Sequence, residues 1–289
     1  AGGTQMVLAA KVGGGSDINE QPLDQAVAII RQRVDGAGVA EAEISTQSGR
    51  NVVVSLPGTP STQTRALIQA SADMNFRPVL LNGAGAPVST ESLTPEDQLP
   101  KPTADPANSS DVNWITPELY RAFETLDCDH PSQDKQKRSD PTKPLVTCEP
   151  ATATTPALKY ILGPVEVKGT NIVTSSFQLQ RGSQGAVTNQ WAVNIQFDGE
   201  GTAKFKDVTQ RLNQFYVAAG GEAGKDPKAQ FAIVLDDQVI SAPRSLAVIT
   251  DGRPQITGNF TEQTAKALSD QLRFGALPIS FEIQSERQI

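Results

Sequence analysis

The sequence predicts an α+β fold, and three observations carry that expectation. Short stretches with period-two apolar alternation recur along the chain, as in Met6, Leu8 and Ala10, in Val52, Val54 and Leu56, and in Trp191, Val193, Ile195 and Phe197. Between them lie segments whose apolar residues return every three or four positions, as in Leu23, Ala26, Val27, Ile30 and Val34. The two kinds follow one another as β-α-β-β-α-β through residue 81, the split βαβ pattern of a ferredoxin-like sheet with helices on one face.

Within that first run, Gly13 to Gly15 read as a turn after the opening strand. A helix then starts near Pro22, a favoured first-turn residue, and stops at Gly36 or Gly38. Ala42, Ile44 and Thr46 alternate, Ser48-Gly49-Arg50 turns, and Val52 to Leu56 returns. Ser61 caps a second helix bearing Leu67 and Ile68, and Phe76 to Leu81 is expected to be the last strand of the same sheet.

From Asn82 to about Ala157 the pattern changes. Eleven of the twenty prolines fall in these 76 residues and periodicity is lost, so this stretch reads as a largely irregular insertion. One short helix is expected inside it, TPELYRAF, with Thr116 as cap and Pro117 at the first position. Cys128 and Cys148 are the only cysteines. A bridge between them would close a loop of about 20 residues and stabilise by ~3 kcal/mol in the chain-entropy model, which fits an oxidising exterior compartment. Two free thiols, or a metal site adding His130, are the competing readings, although the spacing is not that of a compact zinc site.

Order returns at Tyr160. Val173, Phe177 and Leu179 share a strand face, and a helix from roughly Thr202 to Val217 places Phe205, Val208, Leu212 and Phe215 on one stripe before Gly220 and Gly221. Phe231, Ile233 and Leu235 open a hairpin that turns at Asp236-Asp237 and returns through Gln238 to Ser241. An excursion marked by Pro243, Gly252, Pro254 and Gly258 follows. Thr261 then caps a helix with Ala265, Leu268 and Leu272, which ends at Gly275 and Pro278. Ile279, Phe281 and Ile283 give a final strand, and from Trp191 onward the order of elements weakly repeats that of the first run.

Composition narrows the function classes. A formal charge of −7 and no basic cluster with interleaved aromatics argue against nucleic acid or an anionic membrane as partner. With 38% hydrophobic residues and 5% aromatics, part of the chain is expected to pack loosely. No apolar run approaches the ~20 residues needed to span a bilayer. There is no signal peptide and residue 1 is Ala, so the chain reads as a soluble, monomeric piece of something larger. Catalytic signatures are weak. The single histidine, His130, sits in the expected loop with no nucleophile placed by a motif. GGEAGK, Gly220 to Lys225, lacks the Ser/Thr of a phosphate loop and follows a helix, and DCDHPSQD lacks the glycine of a calcium loop. Neither an enzyme nor a cofactor or metal is expected.

One resemblance is specific. LDDQVISAP, then QITGNFTEQTAKALSDQLRFGALP, closely resembles the large extracytoplasmic (P1-type) domain of SecD, a subunit of the bacterial protein-export machinery. IIRQRVDGAGVAE, VVVSLPG and MNFRPV resemble further segments of that family in the same order, mostly as packing and turn residues. The resemblance implies a base of residues 1–81 completed by 276–289, a head of 158–275, and 82–157 as an added connection. It implies a place on the extracytoplasmic face of the cell membrane, in a multi-pass protein that works with SecF and SecYEG. There the domain would hold emerging unfolded preprotein and move head against base, drawing on the proton gradient through membrane helices outside this chain.

Capture of an unfolded chain requires an accessible apolar surface or strand edge. The expected contacts are Ile240, Pro243, Leu246, Val248, Ile249, Ile256 and Phe260, whose apolar residues follow neither regular period. Gly163-Pro164 and Gly275-Ala276 are the expected hinges, since each pairs conformational freedom with a nearby proline. A small-ligand sensor and a static scaffold of a membrane complex are the rival readings, because fold alone does not fix function.

Overall fold

The computed structural model describes residues 2–11, 20–130, 138–279 and 281–289. The glycine turn expected at 13–15 and part of the polar loop after His130 lie outside these residues. In chain order the strands and α-helices are β1 (Gly3–Ala10), α1 (Glu20–Gly36), β2 (Glu43–Gln47), β3 (Asn51–Pro57), α2 (Thr62–Gln69), β4 (Met74–Ala84), α3 (Pro117–Thr125), β5 (Leu145–Glu149) and β6 (Leu158–Leu162). They continue as β7 (Val167–Lys168), β8 (Ile172–Arg181), β9 (Val187–Phe197), α4 (Gly199–Ala218), β10 (Phe231–Leu235), β11 (Gln238–Ser241), β12 (Gln255–Thr257), α5 (Glu262–Phe274) and β13 (Phe281–Gln288). The architecture is mixed α and β.

The chain divides into two compact units. One comprises residues 1–73, 173–195 and 260–289, and the other 74–172 and 196–259. In the first, a four-stranded sheet has the order β13-β1-β3-β2, with every neighbouring pair antiparallel. Alternation along β1 and β3 buries Met6 and Leu8 with Val52, Val54 and Leu56 on one face. The α1 stripe of Leu23, Ala26, Ile30 and Val34 packs there, as its spacing predicts. Ser48 and Gly49 both take positive φ, 57° and 67°, in the three-residue turn Ser48-Gly49-Arg50, across which Gln47 pairs with Asn51. β8 and β9 are adjacent strands, with Phe177 against Trp191 at 5.8 Å between ring centroids. Val173, expected on the packed face of its strand, is 60% exposed.

A buried cation ties this unit together. Arg33 is fully buried, and its Nη1 donates to the carbonyls of Leu67 (2.9 Å) and Ala70 (2.5 Å). Its Nη2 reaches Gly275 O at 2.7 Å and Ser71 O at 3.5 Å. One guanidinium thus gathers the end of α2, the segment after it, and the end of α5. The charge-assisted bonds replace water for carbonyls that a helix end leaves unsatisfied.

In the second unit the sheet order is β11-β10-β4-β6-β5, with β7 also paired to β4. This corrects the expectation that Phe76 to Leu81 closes the first sheet. β4 pairs with β10 and β6, and the edge position beside β1 is held by β13. The reason is visible in MNFRPVL, where seven successive residues are buried. A strand covered on both faces belongs in the middle of a sheet. Phe76 stacks on Phe231 (5.7 Å) and meets Phe197 edge-on (5.2 Å), with Phe205 of α4 completing the cluster.

The stretch 82–157 is also more ordered than its composition predicts. β5 joins the sheet through β6, and α3 forms as expected, with the Thr116 hydroxyl accepting from Leu119 N–H. Ile115 and Phe123 pack on Leu80 and Ile161 in a core of their own. Lys159, 3% exposed, sends its ammonium to the carbonyls of Ala86 (3.0 Å), Glu124 (3.1 Å) and Leu126 (3.4 Å). Burial lowers its pKa while Glu124 and Asp127 oppose that shift. Arg77, fully buried, holds the far end of the stretch through Lys143 O, Gly163 O, Asp140 O and the Ser139 hydroxyl. Cys128 and Cys148 form a disulfide with Cα atoms 5.6 Å apart, linking the end of α3 to β5.

Two outcomes follow. Arg33→Met removes the guanidinium from the carbonyls of Leu67, Ala70 and Gly275 and should cost about 3 kcal/mol or more in urea unfolding; a loss under about 1 kcal/mol would show the guanidinium to be replaceable. Glu149, partly buried and accepting from the Tyr160 hydroxyl at 3.2 Å, has its pKa raised by desolvation. The folded state therefore holds the proton more tightly than the unfolded chain, and this group's contribution weakens as pH rises from the ordinary glutamate value through the folded one. Glu149→Gln should raise the urea midpoint at pH 7, with the gain shrinking toward pH 4; a gain confined to pH 4 would reverse the assignment.

Candidate functional site

The excursion after β11 is an anchored loop whose main chain is fixed and whose apolar tips are left outside. Phe231 N–H donates to Pro243 O at 2.9 Å and Ser245 N–H to Ala229 O at 2.9 Å, so the loop leaves β11 alongside the entry to β10. The buried Ser245 hydroxyl reaches Thr209 O (2.9 Å) and Ala247 O (3.1 Å), and Ser245 O accepts from the Asn213 amide at 3.1 Å. Ile249 N–H donates to the Thr209 hydroxyl at 3.0 Å. Further on, Gly252 O accepts from Phe197 N–H, and Gly252 holds φ at +65°. A β-carbon there would lie 2.1 Å from the Thr202 hydroxyl, so only glycine lets the loop approach α4 this closely.

The hairpin that launches the loop is equally constrained. Asp236 and Asp237 both take positive φ, 50° and 65°, a turn that L-residues other than glycine adopt with difficulty. The Asp237 carboxylate accepts from Ser139 N–H at 2.8 Å and from the Ser139 hydroxyl at 2.5 Å, and Asp237 O accepts from Thr147 Oγ1. The pair is a turn, as the sequence indicates, with a further role in seating the stretch around residue 139.

The seven expected contact residues separate into three groups. Pro243, Leu246 and Val248 are exposed, Leu246 to 59% and Val248 to 39%. Ile240 and Ile249 are half-buried. Ile256 is fully buried, which removes it from any contact surface; its strand β12 spends it on packing. Phe260 is half-buried and falls in the first unit, apart from the loop's own unit. Val217, 65% exposed near the end of α4, is a surface aliphatic the sequence did not single out, since it falls on the side of the helix away from the apolar stripe.

The expected hinges are placed where they do not join the units. The chain passes between units at residues 73/74, 172/173, 195/196 and 259/260. Gly163 and Pro164 are buried within the second unit, and Gly163 N–H donates to Pro78 O at 2.9 Å. A β-carbon on Gly163 would sit 1.8 Å from Ser109 O, so this glycine serves close packing. Gly275 and Ala276 lie inside the first unit, where Gly275 O is held by Arg33 and the φ of +91° ends α5. The expected base and head boundaries shift accordingly: residues 74–81 leave the first unit, while 173–195 and 260–275 enter it.

His130 is exposed and its Nδ1 lies 3.1 Å from Asp127, whose pKa is lowered. Among the described residues no group of three or more His, Cys, Asp or Glu is disposed to hold a metal ion. GGEAGK forms the turn after α4, where Arg244 approaches the carbonyls of Glu222 (3.4 Å) and Gly224 (3.5 Å) and lies over the Tyr216 ring. The first unit carries an open cleft lined by Ser61, Thr64, Leu67, Gln263, Lys266 and Asp270, between the start of α2 and α5. Burial raises the pKa of Asp270 there, against the opposing effect of Lys266 and Arg273. Among the described residues, no helix is long and apolar enough to cross a membrane.

Removing the Ser245 hydroxyl tests the anchoring of the loop. Ser245→Ala should cost about 1 kcal/mol and speed amide exchange at residues 245–249 about fivefold. Unchanged exchange there would show that the loop is held by its backbone bonds alone.

Comparison with known proteins matches this geometry to one family. The family model for the SecDF P1 head subdomain matches residues 148–279, and that for the N-terminal part of the SecDF P1 domain matches residues 23–80. The protein translocase subunit SecD of Streptomyces coelicolor is 30% identical, over 99% of this chain and 60% of the relative. SecD of Acetobacter pasteurianus is 29% identical over 93% of this chain and 38% of its own length, and SecD of Mycobacterium tuberculosis 28% over 97% and 56%. The chain thus spans roughly 40 to 60% of the length of these relatives. Two solved structures share the fold. One, SecDF in a super-membrane-facing form, aligns at a TM-score of 0.60 with 22% identity, over 99% of this chain and 30% of that one. The other, described as a membrane component SecDF that enhances protein export, aligns at 0.57 with 24% identity, over 99% of this chain and all of that one. Segments of the chain thus match the SecDF P1 domain and P1 head models, and along nearly its whole length the chain is homologous to the protein translocase subunit SecD.

Proposed function

We propose that this chain is the extracytoplasmic domain of a SecD-like accessory subunit of the protein-export machinery, and that it captures unfolded preprotein as it emerges. The observation that carries this reading is the anchored loop. Pro243, Leu246 and Val248 are left in water while the backbone beneath them is tied to α4 and β10. Aliphatic side chains held outward on a pre-set backbone offer contact to a chain of no fixed sequence, with little ordering cost on the receptor's side. Homology to SecD supports the same reading, and the Cys128–Cys148 bridge fits an oxidising exterior.

In this reading the first unit is a ferredoxin-like base, with β13 as the fourth strand beside β1, and the second unit is the head. SecF and SecYEG are the partners, reached through membrane parts outside this chain. Energy from the proton gradient enters through those parts, and the chain itself makes and breaks no bonds. The test is a photo-crosslinking residue at Val248 in the full membrane complex with a stalled export substrate. Adducts are expected from Val248 and Leu246, and none from a probe on the open face of β1 at Gln5. Folded protein without adducts from either loop position would overturn the proposal.

A further inference from the structure

The loop is one flank of a larger surface. At about 100° per residue, Thr209 and Asn213 lie to one side of the buried α4 stripe of Phe205, Val208 and Leu212, and Arg211 lies to the other. The loop is bonded to the first side through Ser245 and Ile249. On the second side, Arg211 Nε donates to the buried Ser110 hydroxyl at 3.0 Å and its guanidinium pairs with Glu166. Gln210, Gln214 and Val217 form the outward stripe between them, and all are exposed.

The turn at Ser110 belongs to the proline-rich insertion and is rigid. Asp111 accepts from the N–H groups of Ala107 (2.8 Å) and Asn113 (2.9 Å), which hold its carboxyl below the usual range. Trp114 Nε1 donates to Asn108 O at 2.9 Å. Val112, at the tip, is 52% exposed. The second flank of α4 thus has the same construction as the first, an outward aliphatic on a fixed turn.

The two flanks differ in charge. Residues 86–130 hold nine acidic and two basic side chains, a formal −7, equal to that of the whole chain. The remaining residues balance to zero, and the net negative charge lies in the first part of the insertion, since 131–157 hold three acidic and four basic side chains. Glu96, Asp97, Asp105 and Glu118 are exposed.

We infer that the outward strip of α4, with Leu246 and Val248 on one flank and Val112 on the other, docks extended polypeptide segments in which lysine or arginine is interspersed with aliphatic residues. This rests on the capture reading and adds a preference to it. The aliphatic crests supply contact without sequence demands, and the acidic flank favours cationic segments by complementarity and long-range attraction. Like-charged, acidic segments are disfavoured.

The test uses two fluorescent 20-residue unstructured peptides of the same Ser, Gly, Leu and Val background, one with four lysines and one with four glutamates. Anisotropy titration against the 289-residue chain should show the lysine peptide binding about tenfold more tightly at 50 mM salt, with the ratio falling toward one at 500 mM. The combined variant Glu96→Gln, Asp97→Asn, Asp105→Asn, Glu118→Gln should lose the preference, the lysine peptide weakening and the glutamate peptide tightening toward a common affinity. Val112→Ser should weaken both peptides about threefold, as Leu246→Ser does, with thermal midpoints unchanged. Equal binding of both peptides, or a lysine preference that survives neutralisation, overturns this inference and leaves capture standing. Loss on Leu246→Ser with none on Val112→Ser removes the second flank. If neither peptide binds and Val248 gives no crosslinks, the capture reading falls and this inference with it.

Discussion

Two buried arginines and one buried lysine hold the backbone where regular pairing stops. Arg33 collects carbonyls from the end of α2 and the end of α5, Arg77 from the segments at 140, 143 and 163, and Lys159 from those at 86, 124 and 126. Each cation replaces several water contacts at once, because a guanidinium offers five donors and an ammonium three. A chain whose units are assembled from discontinuous stretches has many element ends to satisfy. Apolar burial alone would leave several of those carbonyls without donors, at a cost of about 1–3 kcal/mol each, while the Asp140 and Glu124 carbonyls also accept from the Lys143 and Val88 N–H groups. These three side chains are therefore what the rest of the packing presupposes.

The same economy shapes the surface that homology to SecD makes interesting. α4 is a support with three differently used sides: a core stripe, a side bonded to the 243–252 loop, and a side bonded to the insertion. The loop is seated by backbone bonds, by buried Ser245 and by Arg244, and not by the side chains of Leu246 and Val248. That separation lets Leu246 and Val248 be apolar and outward without weakening the fold. In a domain proposed to hold many different clients, contact and rigidity can then vary independently.

Most elements are legible from periodicity and punctuation. The α1 and α5 stripes, the Thr116 and Thr261 caps, and the Ser48-Gly49 and Asp236-Asp237 turns are local features, and the structure places all of them. The family is legible as well, from ordered motifs around 235–278. The buried state of Ile256 is not, since an apolar residue in an irregular stretch looks the same whether covered or exposed. Glycine beside proline reads as a hinge at Gly163, yet a close approach to Ser109 explains that residue equally well in sequence and better in space.

Sequence alone thus determined most helices, the turns and the kinship, because each depends on neighbours within a few residues or on motif order, whereas the structure decided among the open readings of Cys128 and Cys148 by pairing them. Only the tertiary structure decided that β4 belongs to the second sheet, that β13 stands beside β1, and that the proline-rich stretch has its own core. Those outcomes rest on pairings between residues as distant as Thr4 and Gln288, and on buried cations choosing carbonyls from separate segments. Such choices depend on which surfaces meet, and nothing local to β4 or β13 records them beyond the seven consecutive buried positions of a central strand.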